Sequence, residues 1–252
     1  MLDSPRAVFA QYPERAAEKA ALTPGTLFFR AVPAGMFIAL AALGATVCGA
    51  LLGDGAGRLA GALLFPAGLA MVVLTGVELF TGNILMVLAQ WSGRIRGRVM
   101  LVCWGMTYLG NAVGAALIAA LTAWGLGGDA GFTAALEASV AGKLSLGFGE
   151  AMARGILCNV LVCAAVWMSL AARDAAGKVL ALYFPVALFV LCGLEHCVAN
   201  LFYLPAAMLA VPEAALAPGR LLLANLLPVT LGNLLGGLLF SGGLWAGFRQ
   251  RS

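Results

Sequence analysis

Long apolar runs broken by single acidic residues set the pattern of this chain. Charge-free stretches cover residues 31–53, 59–77, 79–93, 99–128, 155–172, 179–194, 196–212 and 221–248. A membrane-crossing helix needs about 20 predominantly apolar residues. Glu78 alone parts the second stretch from the third, and Glu195, with His196 beside it, parts the sixth from the seventh. Each joined pair is too long for one simple span and too short for two. The pattern therefore predicts an all-α integral membrane protein with six transmembrane helices, near 31–52, 59–90, 99–125, 153–172, 179–210 and 221–248. The second and fifth helices are interrupted by a carboxylate near mid-depth.

Residues 1–30 read differently. Asp3, Arg6, Glu14, Arg15, Glu18, Lys19 and Arg30 interrupt any signal-peptide core. Ala16, Ala17, Ala20, Ala21 and Leu22 among those charges predict a short amphipathic helix on the membrane surface. The expected organisation is a cytoplasmic amphipathic segment, 1–30, and a six-span domain, 31–252.

Composition supports the membrane reading. Hydrophobic residues make up 62% and charged residues 10% of the 252, against about 45–50% and 25% in soluble domains. The net charge is +4, and the basic residues are scattered beside apolar runs, which is no nucleic-acid footprint. The six cysteines lie inside apolar runs without CxxC spacing and read as free, buried, small hydrophobes. With one histidine in the chain, no metal site and no cofactor is expected.

Basic residues beside span ends predict orientation. The side with both termini holds Arg6, Arg15, Lys19, Arg30, Arg94, Arg96, Arg98, Arg173, Lys178, Arg249 and Arg251. The opposite side holds only Arg58, Lys143, Arg154 and Arg220. Both termini are thus expected in the cytoplasm, with the protein in the cell's inner membrane.

The two halves echo each other. Glu78 and Asn83 stand five apart, as do Glu195 and Asn200, 117 residues later. Leu109-Gly110-Asn111 with Gly114 recurs as Leu231-Gly232-Asn233 with Gly236, 122 residues later. The halves span about 31–125 and 153–248. Three spans per unit reverse the second unit, giving a 3+3 inverted repeat, an architecture that puts its site near the midplane on interrupted helices. A break at that depth is tolerated only inside protein or along a water-filled cavity.

At these residues the sequence resembles the formate/nitrite transporter family. The matching segments are AGMFIAL at 34–40, ELFTGN at 78–83, YLGNAVGA at 108–115, GILCNVLVCAAVWMS at 155–169, FPVALFVLCGLEHCVANLF at 184–202 and NLLPVTLGNLLGG at 225–237. The resemblance implies an aquaporin-like protomer, a homopentamer, and one pore through each protomer.

It also implies roles. His196 lines the pore centre, and Thr81, on the loop interrupting span two, can donate to an anion or to His196. Asn233 matches a family asparagine near that histidine, though helix–helix glue is its alternative. Phe65 and Phe189 match one apolar constriction, and Leu69, Leu79 and Phe80 the other. Lys143, in the loop before span four, matches an anion-attracting lysine of the outer vestibule. From the residues themselves, Glu78 and Glu195 are costly at depth, so structural roles are favoured: with Asn83 and Asn200 they cap the exposed amides of the breaks. Asn159 is grouped with them.

The expected activity is passage of small monovalent weak-acid anions. Apolar rings make a bare anion's desolvation costly, so the anion takes a proton, directly or through water and His196, and crosses as the neutral acid. Formate is favoured, from the contexts of Pro185 and Pro228, with nitrite and hydrosulfide as alternatives. Leu194 and Cys197 depart from the residues often found there. A neutral-solute channel of the aquaporin class would carry paired Asn-Pro-Ala motifs, and none occurs. An intramembrane enzyme lacks the G-x-S-x-G and metal-cluster signals, so no enzymatic activity is expected.

Overall fold

The computed structural model describes residues 2–211 and 222–249, the side chains of Asp54 and Leu222 apart. Arg220 and Arg251 of the charge count, residue 221 at the start of the sixth predicted span, and residues 250–252 of the predicted domain lie outside the described residues.

The described residues fold as helices joined by short turns. They are α1 (Pro5–Ala20), α2 (Pro24–Gly53), α3 (Gly55–Thr75), α4 (Phe80–Asn83), α5 (Val87–Trp91), α6 (Gly97–Leu126), α7 (Ala130–Leu144), α8 (Phe148–Ala171), α9 (Ala175–Leu191), α10 (Cys197–Ala210) and α11 (Leu223–Phe248). A 3-10 turn, Ile84–Met86, joins α4 to α5, and α11 opens with a π-helical turn, Leu222–Leu226. Among the described residues, five helices, α2, α3, α6, α8 and α11, are long and apolar enough to cross a membrane. α9 and α10 are shorter apolar helices parted by a break.

Local chemistry sets these boundaries. Thr23 caps α2 by accepting from the Thr26 amide at 3.2 Å, with Pro24 at the first turn. Residues 24–30 therefore belong to the first long helix and not to the amphipathic segment. Asp129 caps α7 at the Phe132 amide, 2.9 Å away. Gly76 and Gly193 end α3 and α9 at φ of 70° and 64°, a left-handed conformation that side chains disfavour. Each stands two residues before the buried glutamate of its break.

Burial is inverted relative to a soluble protein. Leu101, Leu109, Leu117, Leu121 and Trp124 of α6 are exposed, whereas Glu78, Glu195, His196, Asn111 and Asn233 are buried. Such an outer surface suits lipid, and such polar groups need partners inside.

Two helix pairs frame the interior. α2 packs along α6, and α8 along α11. A Cβ at Gly114 would sit 2.0 Å from the Val32 carbonyl oxygen, and one at Gly236 would sit 2.2 Å from that of Ile156. Small residues let membrane helices approach to backbone contact. Gly236→Leu is accordingly expected to prop α8 and α11 apart and abolish the monodisperse peak in fluorescence-detected size exclusion. The same substitution at Gly242, where a Cβ meets open space, should keep it.

α1 lies across the ends of α5, α8 and α11. Val8, Tyr12 and Ala16 form its buried stripe. The Phe9 ring sits 6.4, 6.1 and 5.8 Å from those of Trp167, Trp245 and Phe248. Ahead of it, the Asp3 amide donates to Ala171 O at 2.9 Å and its carboxylate pairs with Arg173. The hydrogen bond from the Arg173 guanidinium holds the Asp3 carboxyl below the usual carboxylate range.

Candidate functional site

The two breaks face each other inside the bundle, and matched asparagines hold them. Asn111 on α6 donates to Ala31 O at 2.7 Å and Glu78 O at 3.0 Å, and accepts from the Phe80 amide at 2.9 Å. Asn233 on α11 donates to Gly155 O at 2.8 Å and Glu195 O at 2.9 Å, and accepts from the Cys197 amide at 2.8 Å. The Glu78 amide reaches Arg30 O at 3.1 Å, and the Glu195 amide Arg154 O at 3.5 Å. Backbone groups freed by the breaks thus find partners on the neighbouring long helices.

This geometry corrects two expectations. Asn233 spends both amide protons and its carbonyl on backbone, so it braces the break and has no donor left for a permeating ion. Glu78 and Glu195 do not cap backbone amides with Asn83 and Asn200, because Asn111 and Asn233 already take that place. The carboxylates instead bind side-chain donors.

The Glu78 carboxylate accepts from Asn83 Nδ2 at 2.8 Å and Lys19 Nζ at 2.9 Å, and Lys19 also donates to Asn83 Oδ1 at 3.0 Å. Glu195 accepts from Asn200 Nδ2 at 2.7 Å, Lys143 Nζ at 3.0 Å and Asn225 Nδ2 at 3.3 Å. A buried carboxylate with an ammonium and side-chain amides around it offsets much of its desolvation. Lys143 does not sit in a loop. It stands in the last turn of α7, a helix that the sequence reading left as a connection, and it is ion-paired rather than solvated. Sequence reasoning also missed Lys19, Asn111 and Asn225 as members of the site. Only Asn111 left a signal, through its repeat with Asn233.

Thr81 and His196 meet at the centre, with Oγ1 and Nε2 3.0 Å apart. His196 Nδ1 accepts from the Ala199 amide at 3.2 Å and so caps α10. With Nδ1 accepting, the neutral ring carries its proton on Nε2. The Nε2–H then donates to Thr81, which frees the hydroxyl proton for another acceptor. Asn159 Nδ2 holds Thr81 O at 3.4 Å and Asn233 O at 2.7 Å, which steadies the loop that carries the threonine.

A cavity of about 800 Å³ opens on one side of this pair, lined among others by Phe65, Phe189, His196, Lys143, Arg58 and Arg154. The Phe65 and Phe189 rings pack edge to face at 5.6 Å, and Phe189 stacks on His196 at 5.8 Å. A cavity of about 200 Å³ lies on the other side, lined among others by Leu69, Leu79, Gly82, Glu78, Lys19 and Tyr12. Phe80 lines neither cavity. Its ring meets Tyr108 edge-on at 4.9 Å, because the Asn111 brace turns α4 against α6. Buried donors between apolar walls, each wall facing a cavity, make a route for a small solute rather than a reaction centre.

The family model described as formate/nitrite transporter matches residues 6–247. The formate channel FocA of Haemophilus influenzae is 37% identical over 249 residues, covering 89% of this chain and 87% of that protein. FocA of Escherichia coli K12 is 36% identical over 249 residues, covering 89% and 86%. Among solved structures, a pentameric formate channel with formate bound superposes with a TM-score of 0.81 at 35% identity, covering 88% of this chain and 96% of that one. An FNT family ion channel gives 0.88 at 30% identity, covering 95% and 98%. These relatives are channels and transporters, not enzymes. With its apolar exterior, broken helices and whole-length match, this multi-pass membrane chain belongs to the formate/nitrite transporter family.

Proposed function

We propose that the protein is a six-span channel built as a 3+3 inverted repeat on an aquaporin-like plan, conducting small monovalent weak-acid anions, formate foremost. The observation that carries this reading is the Thr81–His196 contact, buried between the Phe65–Phe189 pair and the Leu69–Leu79 pair. The names of the FocA relatives and of the formate-bound structure support formate and a homopentamer. Nitrite and hydrosulfide are the alternative cargoes. The matched braces, Asn111 with Asn233 and Gly114 with Gly236, support the repeat, and three spans per half turn the second half over relative to the first, which makes it inverted.

The protein sits in the inner membrane with both termini cytoplasmic. The Lys19 cavity then opens inward and the Lys143 cavity outward, and α1 is the cytoplasmic segment that precedes the channel domain. In the outer cavity Lys143 pairs with Glu195 and Arg154 with Glu150, and with Arg58 on the same wall the net positive charge concentrates anions. Thr81, its hydroxyl proton freed by the Nε2–H of His196, offers a hydrogen bond to the anion where water is scarce. The apolar pairs favour the neutral acid over the bare ion, so the anion travels with a proton. Strong-acid anions such as nitrate lack that route.

Proteoliposomes loaded with a pH dye test this. Formate, nitrite or hydrosulfide should acidify the lumen faster than in empty vesicles, and nitrate should not. In His196→Asn the pH profile of flux should change, and an unchanged profile would make His196 a polar spacer. Water flux without weak-acid flux would sink the proposal in favour of a neutral-solute channel.

A further inference from the structure

The two lysine clusters are not equivalent. Lys19 donates to two oxygens, Glu78 Oε2 and Asn83 Oδ1. Lys143 donates to one, Glu195 Oε1, and its Nζ lies 4.9 Å from the centroid of the Tyr203 ring. Asn200, the counterpart of Asn83, leaves its Oδ1 buried with no hydrogen-bond partner among the described residues. Met86 stands 117 residues before Tyr203, the offset that relates Glu78 to Glu195 and Asn83 to Asn200. A thioether at that position offers a cation nothing comparable to a ring face.

We infer that Tyr203 is a positioning residue: its ring draws the Lys143 ammonium off Asn200 Oδ1 and holds it on the wall of the larger cavity, with a donor available to an entering anion. Lys143 and Tyr203 both line that cavity. The Tyr203 hydroxyl reaches Ala42 O at 3.4 Å, the carbonyl that Thr46 Oγ1 also uses at 3.0 Å, so α2 fixes the ring from behind. A ring is suited to this task in a way a second carboxylate is not. The carboxylate would hold the ammonium and cancel its charge, whereas the quadrupole holds it and leaves the charge in place. In the smaller cavity Lys19 gives two of its three N–H groups to carboxylate and amide oxygens, so the two mouths present their lysines to an anion differently.

This inference rests on the anion-channel reading, and its test separates the two. Tyr203→Met installs the residue of the opposite cluster, and Tyr203→Phe keeps the ring. For entry from the Lys143 side, Tyr203→Met should raise the half-saturating formate concentration about five-fold, the scale of one partly desolvated cation–π contact. Maximal flux should stay at the wild-type level, and Tyr203→Phe, which loses the Ala42 hydrogen bond but keeps the ring, should lie nearer wild type than Tyr203→Met in half-saturation. A cryo-EM structure of the Tyr203→Met protein should place Lys143 Nζ within about 3.5 Å of Asn200 Oδ1. An unchanged half-saturation in Tyr203→Met, or a Tyr203→Phe variant as impaired as Tyr203→Met, overturns the inference. So does a Lys143 that stays off Asn200 in that structure. If wild type itself carries no formate, the channel reading fails, and the Lys143 position in the Tyr203→Met structure still decides the role of the ring.

Discussion

Asn233→Leu is expected to yield almost no folded protein, and Asn111→Leu the same. Leucine is close to asparagine in size, so the loss is one of hydrogen bonds rather than of volume. In Asn233→Leu the Cys197 amide and the Glu195 carbonyl lose their partner together, and the Gly155 carbonyl, inside α8, loses its second donor. A buried polar group left unsatisfied costs about 1–3 kcal/mol. Two such losses approach the scale of a whole domain's stability, about 5–15 kcal/mol. Within the bilayer core no water replaces the missing donor. Asn→Asp at either site should fare little better, since a carboxylate there keeps the acceptor but faces two carbonyl oxygens. Detergent-solubilised yield and the thermal midpoint of the monodisperse peak read the effect. A variant with wild-type yield and midpoint would show that the braces are dispensable.

Those braces also mark where the sequence stops being legible. Apolar runs of membrane-spanning length are a one-dimensional signal, so the long helices and the acidic interruptions could be read directly. The repeated Leu-Gly-Asn motif could be seen, but not what its asparagine does, because the amides it holds lie 31 and 36 residues away. Gly76 and Gly193 end their helices by a left-handed turn, yet they are two among 33 glycines, most of which serve other ends. α7 escaped notice because Glu137 and Lys143 interrupt a short run of small residues, the composition of a connection. Lys19 read as one charge of an amphipathic surface helix. Its partnership with Glu78 spans 59 residues and exists only once α1 folds across the bundle. Leu79 lines the smaller cavity while the Phe80 ring turns to Tyr108, a divergence set by Asn111, which holds the Phe80 amide from 31 residues away.

The second large effect is expected at the buried ion pairs, and it should be unequal between them. Lys143→Met leaves the Glu195 carboxylate, 4% exposed, with amide donors but no cation. Breaking a buried pair by removing one partner typically costs about 3–5 kcal/mol, whereas replacing both partners is far milder. Lys143→Met should therefore lower the melting midpoint steeply, and adding Glu195→Gln should recover most of it, since glutamine needs no counter-charge. The double variant thus departs from the sum of the singles, the signature of direct coupling. Lys19→Met should cost less. The Lys19 side chain is 39% exposed, against 16% for Lys143, so water in the smaller cavity takes over part of its role beside Glu78. Thermal midpoints of Lys143→Met, Glu195→Gln, Lys19→Met and the Lys143→Met/Glu195→Gln double make the comparison. Additive losses at Lys143 and Glu195 would mean that the two groups do not depend on each other, and equal losses at the two lysines would mean that the clusters are energetically alike despite their different exposure.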